Sequence, residues 1–174
     1  MEEIELGDGD TVYVKVTDTV TKGETREITA NWSDPNEKAV RVAAKEGSQL
    51  EKYLRDGLTK AGYNVSYHVI GLVPNQNLEV DLLLPALSVA IEVDGPSHFL
   101  PIWGAESLAR NMRADLHKTG LLLAQGLVVI RVKQMTSNVS SLLKRRMLAS
   151  VLVEVMQIEG QFPPKHKRLI ELEV

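Results

Sequence analysis

The chain has 174 residues, 44% hydrophobic and 25% charged, so it is long enough to bury one sizeable core. It contains no cysteine, which excludes disulfides, thiolate metal sites and a cysteine nucleophile. The start, MEEIELGDGD, lacks the basic and apolar regions of a signal peptide, and no apolar run approaches the ~18 residues of a membrane span. We therefore expect a cytoplasmic protein with no membrane partner, in which oxygen or imidazole would hold any metal.

The charges are distributed unevenly along the chain, although the net charge is only -3. Residues 1–30 carry eight acids against three bases, whereas residues 116–153 carry six lysines or arginines and no acid. A charge run is usually a solvated face, but this one follows a carboxylate cluster and so favours a phosphate-binding surface beside a metal site. The basic residues expected to contact a nucleic-acid backbone are Arg110, Arg113, Lys144, Arg145 and Arg146.

The first predicted elements are a hairpin and a helix. Segments 11–20 and 23–32 are rich in β-branched residues and flank a TKGE turn, which predicts a hairpin. A cap at Ser33 or Asp34 and the apolar spacing after it predict one helix that ends at Gly62. Three strands should follow, the last two as an antiparallel pair, at residues 63–70, 78–85 and 88–95.

The second half of the chain alternates between helix and strand. Apolar spacing predicts a helix at 105–124, a strand at 127–133 and a helix from a cap at Ser137 or Asn138 to residue 160, followed by an edge strand near the end. This order predicts an α/β fold with a mixed central sheet flanked by helices. The predicted parts are an N-terminal hairpin extension at 1–32, a core at 33–160 and a tail at 161–174.

The stretch SVAIEVDGPSHF at 88–99 begins as a buried strand and then presents Glu92, Asp94 and His98. Burying unpaired carboxylates costs several kcal/mol, so a bound cation is the first candidate to compensate them. Asp81 interrupts the neighbouring apolar strand LEVDLLL, and its side chain can converge with Glu92 if both point to one face. Oxygen ligands suit Mg²⁺ or Mn²⁺, and we expect Asp81 and Glu92 to bind the ion with assistance from Asp94.

Several of these residues have a second interpretation. Asp94 precedes a glycine and can be a turn residue, and Glu51 can flank the site or pair with Arg55 one helical turn away. His98 can contact phosphate or water, or it can pack in its loop. Lys118 is either a functional group or an ordinary exposed helix lysine.

The order of helix, strands with Asp81 and Glu92-x-Asp94, helix and strand resembles the core of the PD-(D/E)XK nuclease superfamily. The phrase AIEVDGPSHF is similar to the opening of RAP domains. The pattern D-x-x-K-x-x-x-L-x-x-x-G-x-x-V-I-R from Asp115 resembles the close of RAP domains and of endonucleases related to very short patch repair enzymes. This resemblance, over about residues 46–133, implies a restriction-endonuclease-like core in which acids from two neighbouring strands bind a catalytic Mg²⁺.

The family pattern has a lysine two residues after Glu92, and Asp94 occupies that position here. The superfamily includes variants in which the basic group has moved to the following helix, where this chain has Lys118. The resemblance therefore implies a group of catalytic candidates drawn from both strands, both flanking helices and the loop after the second strand. These candidates are Asp81, Glu92, Asp94, Lys118, Glu51 and His98.

The sequence thus predicts a metal-dependent endonuclease that hydrolyses phosphodiester bonds of nucleic acid, DNA in preference to RNA. One alternative is a catalytically inactive nucleic-acid-binding module of the same fold, as RAP domains and the missing motif lysine suggest. Another alternative is a structural protein that reuses the fold, since a fold alone does not determine a function. Nucleases of this superfamily that cut both strands are often dimers, so a homodimer is a further option.

Overall fold

The structure is a computed structural model that describes the backbone of residues 2–5, 11–16 and 28–30 and all residues from 48 to 174. The chain divides into two compact units. The first unit comprises residues 1–38 and the second residues 39–174.

The first unit contains a three-stranded antiparallel sheet in the order β1-β2-β3, formed by Glu2–Glu5, Thr11–Val16 and Ile28–Ala30. Strands β2 and β3 lie within the two segments expected to form a hairpin. The predicted TKGE turn between them lies outside the described residues. Strand β1 was not predicted, because Glu-Glu-Ile-Glu has a single apolar residue and gives almost no alternating signal.

The second unit is built on a five-stranded sheet in the order β4-β5-β6-β7-β8. Strands β4, β5 and β6 are antiparallel, whereas β6, β7 and β8 are parallel, which confirms the predicted mixed sheet. Strand β8 is the edge strand expected near the end of the chain, so part of the predicted tail belongs to the sheet. The five strands are Ser66–Ile70, Glu79–Leu84, Val89–Asp94, Val128–Lys133 and Leu169–Glu173.

Within residues 48–174, three helices flank this sheet: α1 at Gln49–Lys60, α2 at Ala105–Ala124 and α3 at Ser141–Gly160. The bounds of α2 are those predicted. Helix α1 begins only after Ser48, whose backbone is extended and whose side-chain hydroxyl accepts a hydrogen bond from the Glu51 N–H, so the expected continuous helix to Gly62 is wrong at this point. The predicted start at Ser33 or Asp34 lies outside the described residues. Helix α3 is capped by Ser140 rather than by Ser137 or Asn138. Among the helices of residues 48–174, none is long and apolar enough to cross a membrane.

The sheet buries a different set of side chains on each face. One face packs against α1 and α3 and forms the larger core cluster. The other face contacts α2, whose Leu122 packs with Ala90 and Val129. Because side chains alternate along a strand, Glu92 and Arg131 lie on the same face as Ala90 and Val129. The polar residues near the carboxyl ends of β6 and β7 are therefore covered by α2.

Candidate active site

The structure brings Asp81 and Glu92 together, as predicted. Leu82 pairs with Ile91 across β5 and β6, and the next residues along these antiparallel strands are Asp81 and Glu92. Asp81 accepts a hydrogen bond from the Val93 N–H on Oδ2 at 2.8 Å. Glu92 is only 6% exposed, and its Oε1 has no hydrogen-bond partner among residues 48–174. We call Asp81 and Glu92 the carboxylate pair.

Burial raises the pKa of both members of the carboxylate pair. The pKa of Asp81 rises to about 6, chiefly because the carboxyl group is desolvated. The pKa of Glu92 rises to about 8, through desolvation first and the negative charge of Asp81 second, and Lys118 only partly opposes these effects. The two groups therefore favour bound protons over a double negative charge, and a divalent cation at the pair would take the place of those protons.

In the absence of divalent cations, the free energy of unfolding should fall as the pH rises from about 4 to about 8. Both carboxyl groups have a higher pKa in the folded protein than in the unfolded chain, so the folded protein holds extra protons in this interval and loses stability as they dissociate. The free energy of unfolding should fall by at most about 1.4 kcal/mol per pH unit for each extra proton that the folded protein holds.

Urea unfolding in EDTA at a series of pH values measures this slope. The matched variant is Asp81→Asn/Glu92→Gln, which keeps His98, whose pKa is raised mainly by its hydrogen bond to Asp115. The histidine contribution is therefore common to both proteins. The double variant should show a clearly shallower slope, and an equal slope in both proteins would contradict the coupling of the pair to stability.

Lys118 extends from α2 to the carboxylate pair. Its Nζ donates a hydrogen bond to Glu92 Oε2, and its side chain is 23% exposed. The buried residues Thr119 and Leu122 anchor this stretch of α2 against the sheet. Asp115, one helical turn before Lys118, bonds His98 instead. The basic side chain expected on this helix is therefore at the site, where its partner is Glu92.

A second group of charges lies beside the pair, and we call Asp94, His98, Asp115 and Arg131 the arginine cluster. Arg131 donates a hydrogen bond from Nε to Asp94 Oδ2 at 2.7 Å, and its Nη2 lies 2.6 Å from the same oxygen. Its Nη2 also lies 3.6 Å from Asp115 Oδ2, which accepts a hydrogen bond from His98 Nδ1 at 2.7 Å. One potential ligand atom each of Asp94, His98 and Asp115 lies within 4.8 Å of the others, a spacing that a metal ion could use.

The arginine cluster already contains its own counter-ion. Arg131 is 7% exposed and Asp94 is 6% exposed, so the guanidinium and this carboxylate neutralise each other where water has little access. The three expected ligands thus do not form one group: Asp81 and Glu92 form the carboxylate pair, whereas Asp94 is bonded to Arg131. In the sequence Arg131 belongs to the basic block, so its pairing with Asp94 was not predicted.

Glu51 lies near the carboxylate pair, and its side-chain partner is His68 and not Arg55. It is buried in the first turn of α1, and its Oε1 is 2.7 Å from His68 Nε2. Its negative charge contributes to the raised pKa of Asp81. Arg55, the alternative partner, bonds instead to Asp56. His68 was not predicted, because a single histidine within the strand SYHVI carries no specific signal.

The basic block at 116–153, expected to bind phosphate, is divided between paired and exposed bases. Three of its six basic residues pair with acids: Lys118 with Glu92, Arg131 with Asp94, and Lys133 with Glu171 at 2.9 Å. Strand pairing causes this for Arg131 and Lys133, since it places acids of β6 and β8 beside the bases of β7, whereas Lys118 reaches Glu92 from α2.

The other three bases of this block lie in the first two turns of α3. Lys144 Nζ donates to Gln49 Oε1 at 3.1 Å, and Arg145 and Arg146 are exposed. Gln49 is two residues from Glu51, so these bases lie at the end of α1 that carries Glu51. We call Lys144, Arg145 and Arg146 the α3 basic turn.

Two further basic candidates are on α2. Arg110 and Arg113 are exposed, and Arg110 donates to Ser107 Oγ at 3.0 Å. In the loop that precedes α2, Trp103 is 43% exposed, whereas the Phe99 ring lies 5.9 Å from Lys133 Nζ. The exposed Trp103 is thus a spectroscopic reporter close in sequence to the site.

No protein-family model matches this chain, and neither do any curated proteins or solved structures. The contacts and charges of residues 48–174 are therefore the basis on which a function can be proposed.

Proposed function

We propose that this protein is a nuclease that uses Mg²⁺ or Mn²⁺ to hydrolyse phosphodiester bonds, in DNA in preference to RNA. The observation that carries the proposal is the buried carboxylate pair, in which one oxygen of Glu92 has no partner among the described residues. The mixed sheet and the lysine from α2 support a restriction-endonuclease-like core of the PD-(D/E)XK type. A cytoplasmic location and a homodimer are part of the same proposal.

The carboxylate pair suits a hard divalent cation better than the arginine cluster does. Mg²⁺ prefers oxygen ligands and usually keeps several waters, so two carboxylates are a sufficient protein contribution. An ion at Asp94, His98 and Asp115 would instead lie beside the guanidinium of Arg131, which repels it. Asp81 and Glu92 would therefore hold the cation, which when bound would polarise a phosphoryl oxygen and activate water.

Side chains around the pair can perform the remaining work of phosphodiester hydrolysis. The ammonium of Lys118, now on Glu92, can offset negative charge that develops on the phosphate. His98 bonds Asp115 through Nδ1, which leaves Nε2 for contact with phosphate or water. Arg131 fixes Asp94 and with it the end of the strand that carries Glu92.

Cleavage assays test this proposal directly. The protein is incubated with plasmid DNA, single-stranded DNA and RNA in Mg²⁺, Mn²⁺ or EDTA, beside the Asp81→Asn/Glu92→Gln variant. We expect cleavage in the metals, no cleavage in EDTA and loss of cleavage in the variant. Equal cleavage by the wild type and the variant would reject the carboxylate pair as the active site.

A nucleic-acid-binding module without activity is the second candidate function, and the charge balance of the site favours it. Glu92 has Lys118 as a counter-ion and Asp94 has Arg131, so much of the negative charge is compensated without a metal. Salt-sensitive binding without cleavage would support this module. If the protein neither binds nor cleaves nucleic acid, a structural role for the fold is the remaining alternative.

The α3 basic turn should contribute to nucleic-acid affinity by neutralising backbone phosphates. Changing Lys144, Arg145 and Arg146 together to Ala should weaken binding and reduce the slope of log K against log salt by about 0.9 for each phosphate that the variant no longer neutralises. The fold should persist, since exposed substitutions usually change stability little.

Fluorescence anisotropy with a labelled duplex at several salt concentrations measures that slope. The matched control is Lys165→Ala/Lys167→Ala, which removes exposed bases just before β8, at the opposite end of the parallel strands from the start of α3. This control should bind like the wild type. Unchanged affinity and salt slope in the triple variant would show that the α3 basic turn is only a solvated face.

A further inference from the structure

The His68 side chain is held between two carboxylates. Its Nε2 lies 2.7 Å from Glu51 Oε1 on α1, and its Nδ1 lies 2.5 Å from Glu79 Oε1 on β5. The ring can donate to both oxygens when it carries both protons. Two charge-assisted contacts from two different elements therefore fix the orientation of one side chain on β4.

The backbone of His68 adopts a conformation that residues other than glycine rarely use. Its φ is +50°, in the left-handed region, although it lies within β4. Its neighbours Tyr67 and Val69 pair with Leu82 and Val80 of β5, so the strand continues on both sides. A strained residue inside a regular strand persists only where its surroundings determine it, and the two carboxylates are those surroundings.

The main consequence of this arrangement is the position of Glu51. One oxygen, Oε2, accepts a hydrogen bond from the Ser48 N–H of its own helix cap at 3.1 Å. The other oxygen faces His68, and the Tyr67 hydroxyl also bonds to this carboxylate. Glu51 is 5% exposed, and its partner His68 lies opposite Asp81 in the register of β4 and β5, between the pairs Tyr67–Leu82 and Val69–Val80. Strand β4 thus orients a buried carboxylate next to the carboxylate pair.

We propose that His68 is a positioning residue that holds the Glu51 carboxylate beside Asp81, where its charge increases the affinity of the site for a divalent cation. This role rests on the proposed metal-dependent function. Without His68, the Glu51 carboxylate loses one of its two contacts with β4, the other being with Tyr67, and is held less firmly beside Asp81. The negative charge beside Asp81, which attracts the cation, then decreases.

Manganese titration calorimetry and a thermal-unfolding cycle test this role. His68→Ala should weaken Mn²⁺ binding about tenfold, the lower end of the effect of groups that surround the ligands of a metal site. In a Glu51→Gln background the same change should have little effect on affinity, because the charge that His68 positions is gone. Glu79→Gln, which leaves the bond between His68 and Glu51 in place, should change the affinity less than twofold. An equal loss in both backgrounds would overturn the proposal and show a merely structural histidine.

The thermal cycle uses metal-free protein, so it is independent of the proposed function. His68→Ala and Glu51→Gln should lower the melting temperature by less in combination than the sum of the single effects, since the first removes the bond between the two side chains and the second removes the charge that strengthens it. Additive effects would overturn the positioning role. If the wild type binds no Mn²⁺, the proposed function fails, and so does the part of this proposal that concerns affinity, whereas the cycle still reports whether His68 holds Glu51.

Discussion

Lys118→Met should lower the rate of cleavage about a hundredfold, the effect of removing one group that stabilises charge in the transition state. Lys118 is the cation bonded to Glu92, and position 94, where the nucleases that the sequence resembles have a lysine, is an aspartate already bound to Arg131. Methionine keeps most of the length of the side chain but has no charge. Single-turnover cleavage in Mn²⁺ measures the rate.

The same variant should bind Mn²⁺ at least as tightly as the wild type, because no ammonium group competes for Glu92 Oε2. This result separates a lysine that acts in the reaction from one that merely supports the fold. Lys133→Met is the matched control, since Lys133 pairs with the half-exposed Glu171 on β8 and should tolerate the change. A Lys118→Met protein that cuts at the wild-type rate would contradict the role of this lysine and direct the search to His98.

Arg131→Met should reduce the free energy of unfolding by about 3 to 5 kcal/mol, which is the cost of removing one partner of a buried ion pair. The guanidinium makes two contacts with Asp94 Oδ2 and lies near Asp115, so the variant leaves a buried carboxylate without its counter-ion. Urea unfolding at pH 7 measures the change.

The control for this prediction removes both charges of the ion pair between Arg131 and Asp94. Arg131→Met/Asp94→Asn should recover part of the lost stability, since the orphaned charge is then absent. Arg113→Met, on an exposed position of α2, should have little effect. A loss of less than about 1 kcal/mol in Arg131→Met, typical of exposed ion pairs, would show that the pair contributes no more than a surface salt bridge does.

The elements with strong periodicity were predictable from the sequence. The helical spacing of residues 105–124 gave the bounds of α2, and the short link between the two acid-bearing strands required them to be antiparallel neighbours. That pairing is also why the convergence of Asp81 and Glu92 could be expected. These predictions used local patterns only, which the sequence displays directly.

Contacts between distant segments could not be predicted in the same way. The bond between Arg131 and Asp94 depends on the parallel register of β6 and β7, which the crossover through α2 sets and no local pattern encodes. The left-handed backbone of His68 has no signal at all in the sequence. The start of α1 was predicted wrongly, although the sequence contains a signal for it: Ser48 and Glu51 have the S-x-x-E spacing of a capping box.

Binding of a divalent cation by the carboxylate pair is the central claim, and Mn²⁺-dependent thermal unfolding tests it most directly. Mn²⁺ should raise the melting temperature of the wild type and of His98→Gln/Asp115→Asn, in which the arginine cluster has lost two of its candidate ligands. It should leave the melting temperature of Asp81→Asn/Glu92→Gln unchanged. An equal rise in the Asp81→Asn/Glu92→Gln variant, or a rise that disappears only in His98→Gln/Asp115→Asn, would contradict the assignment of the metal site to Asp81 and Glu92.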